Sequence, residues 1–227
     1  MNNLRYKDKT PTKYYYGNVP VPSIYYGSTQ VYSAQPDKPY IQLEYIDFTP
    51  TTYINTDTKP NASSWGQVDV DLTFALNSSQ NNNILFTTQT AGYYNTYKSV
   101  VNASNVLSTI YGYNRWTKTV GTLELNRKYH YQMTRSANRI KPILDGVSIW
   151  ETSNDCDGNS TPLLIGQGNF RCYSCKITIG GNLLRDYIPV IKTSDSKPYL
   201  LDTLHNQFYP ILTTQLDPST DSGGSGQ

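Results

Sequence analysis

The chain has 227 residues and a mass of 25.6 kDa, enough for one large domain whose core needs no disulfide or metal. A formal net charge of +2 and a pI near 8.3 are too mild to favour a nucleic-acid partner. No run approaches the roughly 18–20 apolar residues of a membrane-spanning helix. The apolar supply is unusual: 21 tyrosines stand against 5 phenylalanines and 3 tryptophans, and mean hydropathy is −0.55. Tyrosine and threonine favour strands and half-buried surfaces, so an all-β protein is expected.

The first twelve residues, Met1 to Thr12, are polar and charged and lack the apolar segment of a secretory signal. With Met1 in first place, the chain is expected to be made and used from a cytoplasm. Residues 1–39 carry Arg5, Lys7, Lys9, Lys13 and Lys38 against Asp8 and Asp37, a net +3 that the rest of the chain does not share. They also hold a short repeat, Tyr15-Tyr16-Gly17 and Tyr25-Tyr26-Gly27, each followed by a small polar turn and a valine, Val19 or Val31. Such Tyr/Val segments broken at Gly-Asn and Gly-Ser read as small β-hairpins. So short a stretch cannot bury a core alone. It is either a strap on the main domain or an arm that docks onto a partner.

From residue 40 to about 216 the chain reads as strands and turns. Val68, Val70, Leu72, Phe74 and Leu76 alternate strictly, and Lys128 to Met133 continues the pattern. Ile140 to Trp150 reads as a hairpin about Asp145-Gly146. Tyr173, Cys175, Ile177 and Ile179 are expected on one strand face, before a turn at Gly180-Gly181-Asn182. Ser99 to Ile110 is the one stretch where a short helix fits. Pro189 is expected to bar continuation of its ladder, and Arg185-Asp186 to form an exposed charge pair. Many short strands with frequent turns mean a sandwich or barrel. Residues 217–227, rich in Ser and Gly, read as a flexible tail.

Three cysteines, Cys156, Cys172 and Cys175, cannot all pair within one chain. On a regular strand Cys172 and Cys175 point to opposite faces, so a shared metal or disulfide would need a bulge. They read as reduced bystanders, with Cys175 in the core. The richest candidate for carbohydrate is Tyr93, Tyr94 and Tyr97 with Tyr113, Asn114 and Trp116, since rings stack on sugar C–H faces and amides bond hydroxyls. Packing at a sandwich edge is the plainer explanation of the same rings. Asp155 and Asp157 alternate within Asn154–Asn159 as a calcium loop would, or form an ordinary polar turn. No cofactor is expected.

Two stretches go beyond pattern. Leu43-Glu44-Tyr45-Ile46-Asp47 is followed by Thr51 to Asn61, and Phe170 to Pro189 is followed by Tyr199-Leu200-Leu201-Asp202 and Gln207-Phe208-Tyr209-Pro210. Across residues 41 to about 210 these resemble the concanavalin A-like, or laminin G-like, jelly-roll domains of tailed-bacteriophage structural proteins and bacterial surface proteins. The Tyr-Tyr-Gly repeat is also similar to hairpins that precede such domains in virions.

The resemblance implies an antiparallel jelly-roll β-sandwich with a short N-terminal hairpin arm. It also implies a non-enzymatic protein on the virion surface, made in the host cytoplasm: a capsid decoration, head fibre or tail appendage. Its arm, through Tyr15, Tyr16, Tyr25 and Tyr26, would hold capsid or tail proteins, with several copies in one particle. A lectin-like adhesin for host or mucosal glycans is the alternative.

The same fold hosts glycoside hydrolases, whose retaining members need two carboxylates about 5–5.5 Å apart. The only glutamates, Glu44, Glu124 and Glu151, do not form the Glu-x-Asp-x-x-Glu arrangement of the jelly-roll glucanases. Asp69 and Asp71 share a face opposite the valines, and His130 and His205 stand alone. A binding or structural protein is therefore expected, not an enzyme.

Overall fold

Strict alternation between Val68 and Leu76 makes a nine-residue strand whose valines, leucines and Phe74 are wholly buried, while Asp69, Asp71 and Thr73 face outward. That strand is the centre of the fold. The computed structural model describes residues 14–16, 19–21, 23–26, 29–33, 38–58, 68–80, 82–88, 96–112, 116–136, 139–153 and 162–213.

The chain divides into two units, Met1–Pro39 and Tyr40–Gln227. The first holds two hairpins. Strand β1 (Tyr14–Tyr16) pairs with β2 (Val19–Val21), and β3 (Ser23–Tyr26) with β4 (Thr29–Ser33), so that Tyr15-Tyr16 and Tyr25-Tyr26 of the repeat lie in β1 and β3.

The second unit is a two-sheet sandwich, and every ladder among its described strands is antiparallel. Its strands are β5 (Tyr40–Gln42), β6 (Ile46–Phe48), β7 (Thr52–Asn55), β8 (Val68–Leu76), β9 (Asn83–Thr88), β10 (Thr96–Val101), β11 (Val106–Gly112) and β12 (Trp116–Thr122). They continue as β13 (Lys128–Ser136), β14 (Arg139–Leu144), β15 (Val147–Ser148), β16 (Thr152–Ser153), β17 (Leu163–Gly166), β18 (Phe170–Ile179), β19 (Asn182–Lys192), β20 (Pro198–Asp202), β21 (Gln207–Pro210) and β22 (Leu212–Thr213). The smaller sheet runs β12-β11-β10-β9-β17-β7-β22, and the larger runs β15-β14-β13-β8-β18-β19-β20-β21, with β16 paired to β14, β5 to β19 and β6 to β18.

Between the sheets lies one core, built on Leu72, Phe74, Phe86, Tyr131, Phe170 and Tyr187. Tyrosine serves inside because each ring crosses the core and its hydroxyl finds a partner on the opposite sheet. Tyr97 of the smaller sheet donates to the carbonyl oxygens of Met133 at 2.8 Å and Val68 at 3.3 Å. Tyr131 of the larger sheet hydrogen-bonds Ser99 Oγ and Thr109 Oγ1, both at 2.9 Å. Tyr97 and Tyr131 thus fill the core without stranding their hydroxyls.

The predicted turns form as expected. Asp145 (φ 50°) and Gly146 (φ 80°) both adopt the left-handed conformation of a two-residue hairpin turn. Gly180 and Gly181 do the same between β18 and β19. At Gly166 the need for glycine is absolute, since a Cβ there would lie 2.6 Å from the Thr52 carbonyl oxygen and 2.7 Å from Phe48.

Four expectations are corrected. Residues 99–110 form no helix but the β10–β11 hairpin, whose turn is tied by Asn102 Oδ1 accepting from the Ser104 and Val106 amides. Pro189 does not stop its ladder but pairs with Leu200 inside β19. Its missing N–H falls where the neighbour of β19 changes from β18, last paired at Cys175–Tyr187, to β5, first paired at Val190–Gln42. Arg185 is largely buried, its guanidinium 3.6 Å from the buried Asp202 carboxylate, so Arg185-Asp186 is not an exposed pair. Finally, β18 carries a bulge between Cys172 and Ser174. It inserts Tyr173 as an extra residue, which brings Cys172 and Cys175 to the same, buried face and turns Tyr173 outward with Ser174. Both thiols are free.

Candidate functional site

Of the predicted carbohydrate cluster, Tyr93, Tyr94, Tyr113 and Asn114 lie outside the described residues, as do Asp155 and Asp157 of the predicted cation loop. Trp116 opens β12, paired with Tyr111. Tyr97 does not belong to a surface site, because it is 1% exposed and its hydroxyl is bonded within the core. Tyr15, Tyr16, Tyr25 and Tyr26 lie on β1 and β3 of the N-terminal hairpins.

The register brings the flanking strand ends together. Thr96 pairs with Gly112, Tyr111 with Trp116, and Leu163 with Thr88, while the Tyr97 amide donates to Thr88 Oγ1 at 3.0 Å. The stretches that carry Tyr93-Tyr94 and Tyr113-Asn114 therefore connect neighbouring strand ends on one end of the smaller sheet, and the stretch with Asp155 and Asp157 connects β16 of the larger sheet to β17 at that same end.

A second constellation is fully described, on the outer face of the larger sheet. Asp71 projects from β8 because it alternates with the buried Val70 and Leu72. Cross-strand pairing sets Gln132 of β13 on one side of it and Lys176 of β18 on the other, and Lys176 in turn faces Asp186 of β19. Asp71 Oδ1 lies 2.7 Å from His130 Nε2, and its Oδ2 accepts from Gln132 Nε2 at 2.7 Å. A carboxylate only accepts, so Nε2 carries a proton, and in the neutral ring His130 Nδ1 is an acceptor. Lys176 Nζ reaches Asp186 at 3.3 Å.

Beside this row the bulge presents Tyr173. Tyr45 meets its ring edge-on at 5.6 Å between centroids, and Lys128 Nζ lies 3.8 Å from the ring centre. Arg171 sits over Tyr45 at 4.8 Å and 3.5 Å from Asp47, which also accepts from Asn77 Nδ2 at 2.8 Å. The ring of Tyr173 is held in orientation yet stays half-exposed. Burial pushes the neighbouring Asp69 carboxyl up, partly offset by the Arg135 amide that it accepts.

Chemically, this face offers an oriented carboxylate, imidazole and amide next to a fixed aromatic ring. The sequence showed the alternation of Asp69 and Asp71 but not the role of Tyr173, which regular alternation placed inside. The cross-strand hydrogen bonds that join Asp71 to His130 and Gln132 link residues about sixty positions apart, and no local signal marks them. Elsewhere, Asp202 is buried at the β20–β21 turn, accepting from the Asp186 and Leu204 amides and lying 2.6 Å from His205 Nδ1. His205 is thereby a turn clamp. Glu124 and Glu151 each pair with an arginine, Arg127 and Arg139.

No protein-family model matches the sequence, and no curated protein matches it. Solved structures do. A Bacteroides ovatus protein described as a candidate carbohydrate-binding protein is 13% identical, with a TM-score of 0.55 over 77% of this chain and 61% of that one. A galectin of Caenorhabditis elegans (10% identical, TM-score 0.42, 56% of this chain and 96% of that one) is also similar. So are domains 4–5 of the laminin G type in the mouse laminin α1 chain (15%, 0.47, 69% and 46%). With two antiparallel sheets on a shared core, the chain has the concanavalin A-like, laminin G-like jelly-roll fold.

Proposed function

We propose that this protein is a non-catalytic carbohydrate-binding jelly roll, and that the outer face of its larger sheet contacts the glycan. One observation carries the reading: a bulge turns Tyr173 onto the same outer face on which Asp71 holds His130 and Gln132 in place. Sugar sites combine such a ring with fixed hydrogen-bonding groups, and bulges are enriched where a side chain must be re-aimed. The carbohydrate-binding description of the Bacteroides ovatus neighbour supports the reading at the level of fold. The convergence of the strand ends that flank Tyr93, Tyr94, Tyr113 and Asn114 supports a further contribution from that end of the sandwich. Against catalysis, Glu124 and Glu151 are each engaged by an arginine, and His130 is tied to Asp71 without a hydrogen-bonded nucleophile among the described residues. A glycan array probed with low-micromolar full-length protein tests this reading. Hits that vanish in Tyr173→Ala are expected, and an array without hits would refute it.

The proposed setting is the surface of a tailed-phage particle, several copies in each, with the hairpin unit as the attachment to capsid or tail. The resemblance across residues 41–210 and the separate Met1–Pro39 unit support it. Mass spectrometry of a purified particle, giving copy number, tests it. Absence of the chain from the particle would exclude it.

A further inference from the structure

The outer face of the larger sheet carries nearly equal charge of both signs. The cations Lys128, Lys141, Arg171 and Lys176 stand against the carboxylates Asp47, Asp69, Asp71 and Asp186. Arg171 lies 3.5 Å from Asp47 and Lys176 lies 3.3 Å from Asp186, while Asp71 is held by His130 and Gln132. Lys128 and Arg171 are also seated on the tyrosine rings, at 3.8 and 4.8 Å. A carboxylate or sulfate entering this face would have to draw a cation off a ring or off its acid, and would approach the Asp71 charge uncompensated. Neutral hydroxyls meet no such penalty. They can donate to His130 Nδ1 and to the remaining carboxylate lone pairs, accept from ammonium and guanidinium protons, and stack a C–H face on Tyr173.

We infer that this face binds a neutral glycan and discriminates against acidic ones, an assignment that rests on the carbohydrate reading above and gives it a ligand class. Binding in which no net charge is neutralised should respond weakly to salt.

The experiment titrates full-length protein with matched probes, lactose against 3′-sialyllactose and a neutral against a sulfated chito-oligosaccharide. Each titration is run at about 50 and about 500 mM NaCl. Expected is a neutral member that binds at least about tenfold more tightly than its acidic counterpart, with less than about a twofold change between the two salts. Tyr173→Ala should lose at least about tenfold in affinity while Tm stays near that of the parent. Preference for the acidic member, or strong weakening by salt, overturns the neutral assignment and leaves the carbohydrate reading standing. Undiminished binding by Tyr173→Ala overturns the site. If neither pair binds, and a broad array also gives no hit, the carbohydrate reading itself falls.

Discussion

Tyr97, Tyr131 and Tyr187 each fill the core with a ring and send a hydroxyl toward the opposite layer, Tyr187 reaching the Thr56 carbonyl at 3.4 Å. Tyr131 is the most committed, bonded to Ser99 and Thr109 at once. Tyr131→Phe should cost roughly 1–3 kcal/mol, because both hydroxyl partners stay buried and lose a bond; urea unfolding would read this as a lower midpoint. Burial also pushes the Tyr131 phenol up to about 12 despite its hydrogen bonds, and raises Tyr187 as well. The folded state therefore keeps protons that the unfolded chain releases near pH 10. Stability from each group is complete below that pH and is lost as pH climbs towards the folded value, roughly 2–3 kcal/mol for Tyr131 by about pH 12. Cys172, pushed by burial from 9.0 to about 12, brings the onset down towards pH 9. The expected record is a melting temperature that falls steadily above about pH 9, with phenolate absorbance rising only as the fold is lost. A flat profile to about pH 11 would contradict this burial.

At the scale of elements, the bulge in β18 and the turn at Gly166 separate what the proposed binding requires from what folding requires. Around the bulge, Cys172 pairs with Phe74 and Ser174 with Thr73. Removing Tyr173 therefore restores an unbroken in-out-in alternation through Cys172, Ser174 and Cys175. Deleting Tyr173 should leave cooperative thermal unfolding and both thiols protected from alkylation, yet abolish glycan binding. Loss of cooperative folding would show that the bulge is structural. Gly166 gives the opposite case. Gly166→Ala places a methyl on the Thr52 carbonyl at a positive φ and should cost roughly 1–3 kcal/mol or more, measured as a drop in denaturation midpoint. Trp150 adds a brace between layers: its indole donates to the Thr119 carbonyl at 2.8 Å, joining the β14–β15 edge of the larger sheet to the outermost strand of the smaller one. It also occupies an acceptor that an edge strand would otherwise offer to another chain.

For the whole molecule, the division at Pro39 separates the unit that holds the described core from the unit proposed for attachment. All the buried core residues described belong to the unit that begins at Tyr40. A chain lacking residues 1–38 should remain soluble and unfold in one cooperative transition, with a melting temperature close to that of the full protein. The same truncation should remove it from the particle, read as loss of occupancy by mass spectrometry. Incorporation at normal copy number would place attachment on the sandwich instead.

The alternation in β8 and β13, and the Asp145-Gly146 and Gly180-Gly181 turns, were legible because they depend on residues one to three positions apart. A strand's two faces and a hairpin's positive φ angles are local properties, and they sufficed for an all-β sandwich or barrel. The resemblance added the jelly-roll layout over residues 41–210. Ser99–Ile110 misled because a strand pair joined by a short turn can imitate a brief helical period, and only pairing with β9 and β12 decides between them. Tyr97 was legible as a ring that either packs or binds, and only its hydroxyl partners on β8 and β13, in the opposite sheet, decide for burial. Tyr173 was assigned to the wrong face by strict alternation. One inserted residue shifts that alternation, and the insertion exists only in the register between β18 and β8. The candidate site was accordingly the least legible part, because Asp71, His130, Gln132 and Tyr173 meet through cross-strand pairing and not through proximity in the chain.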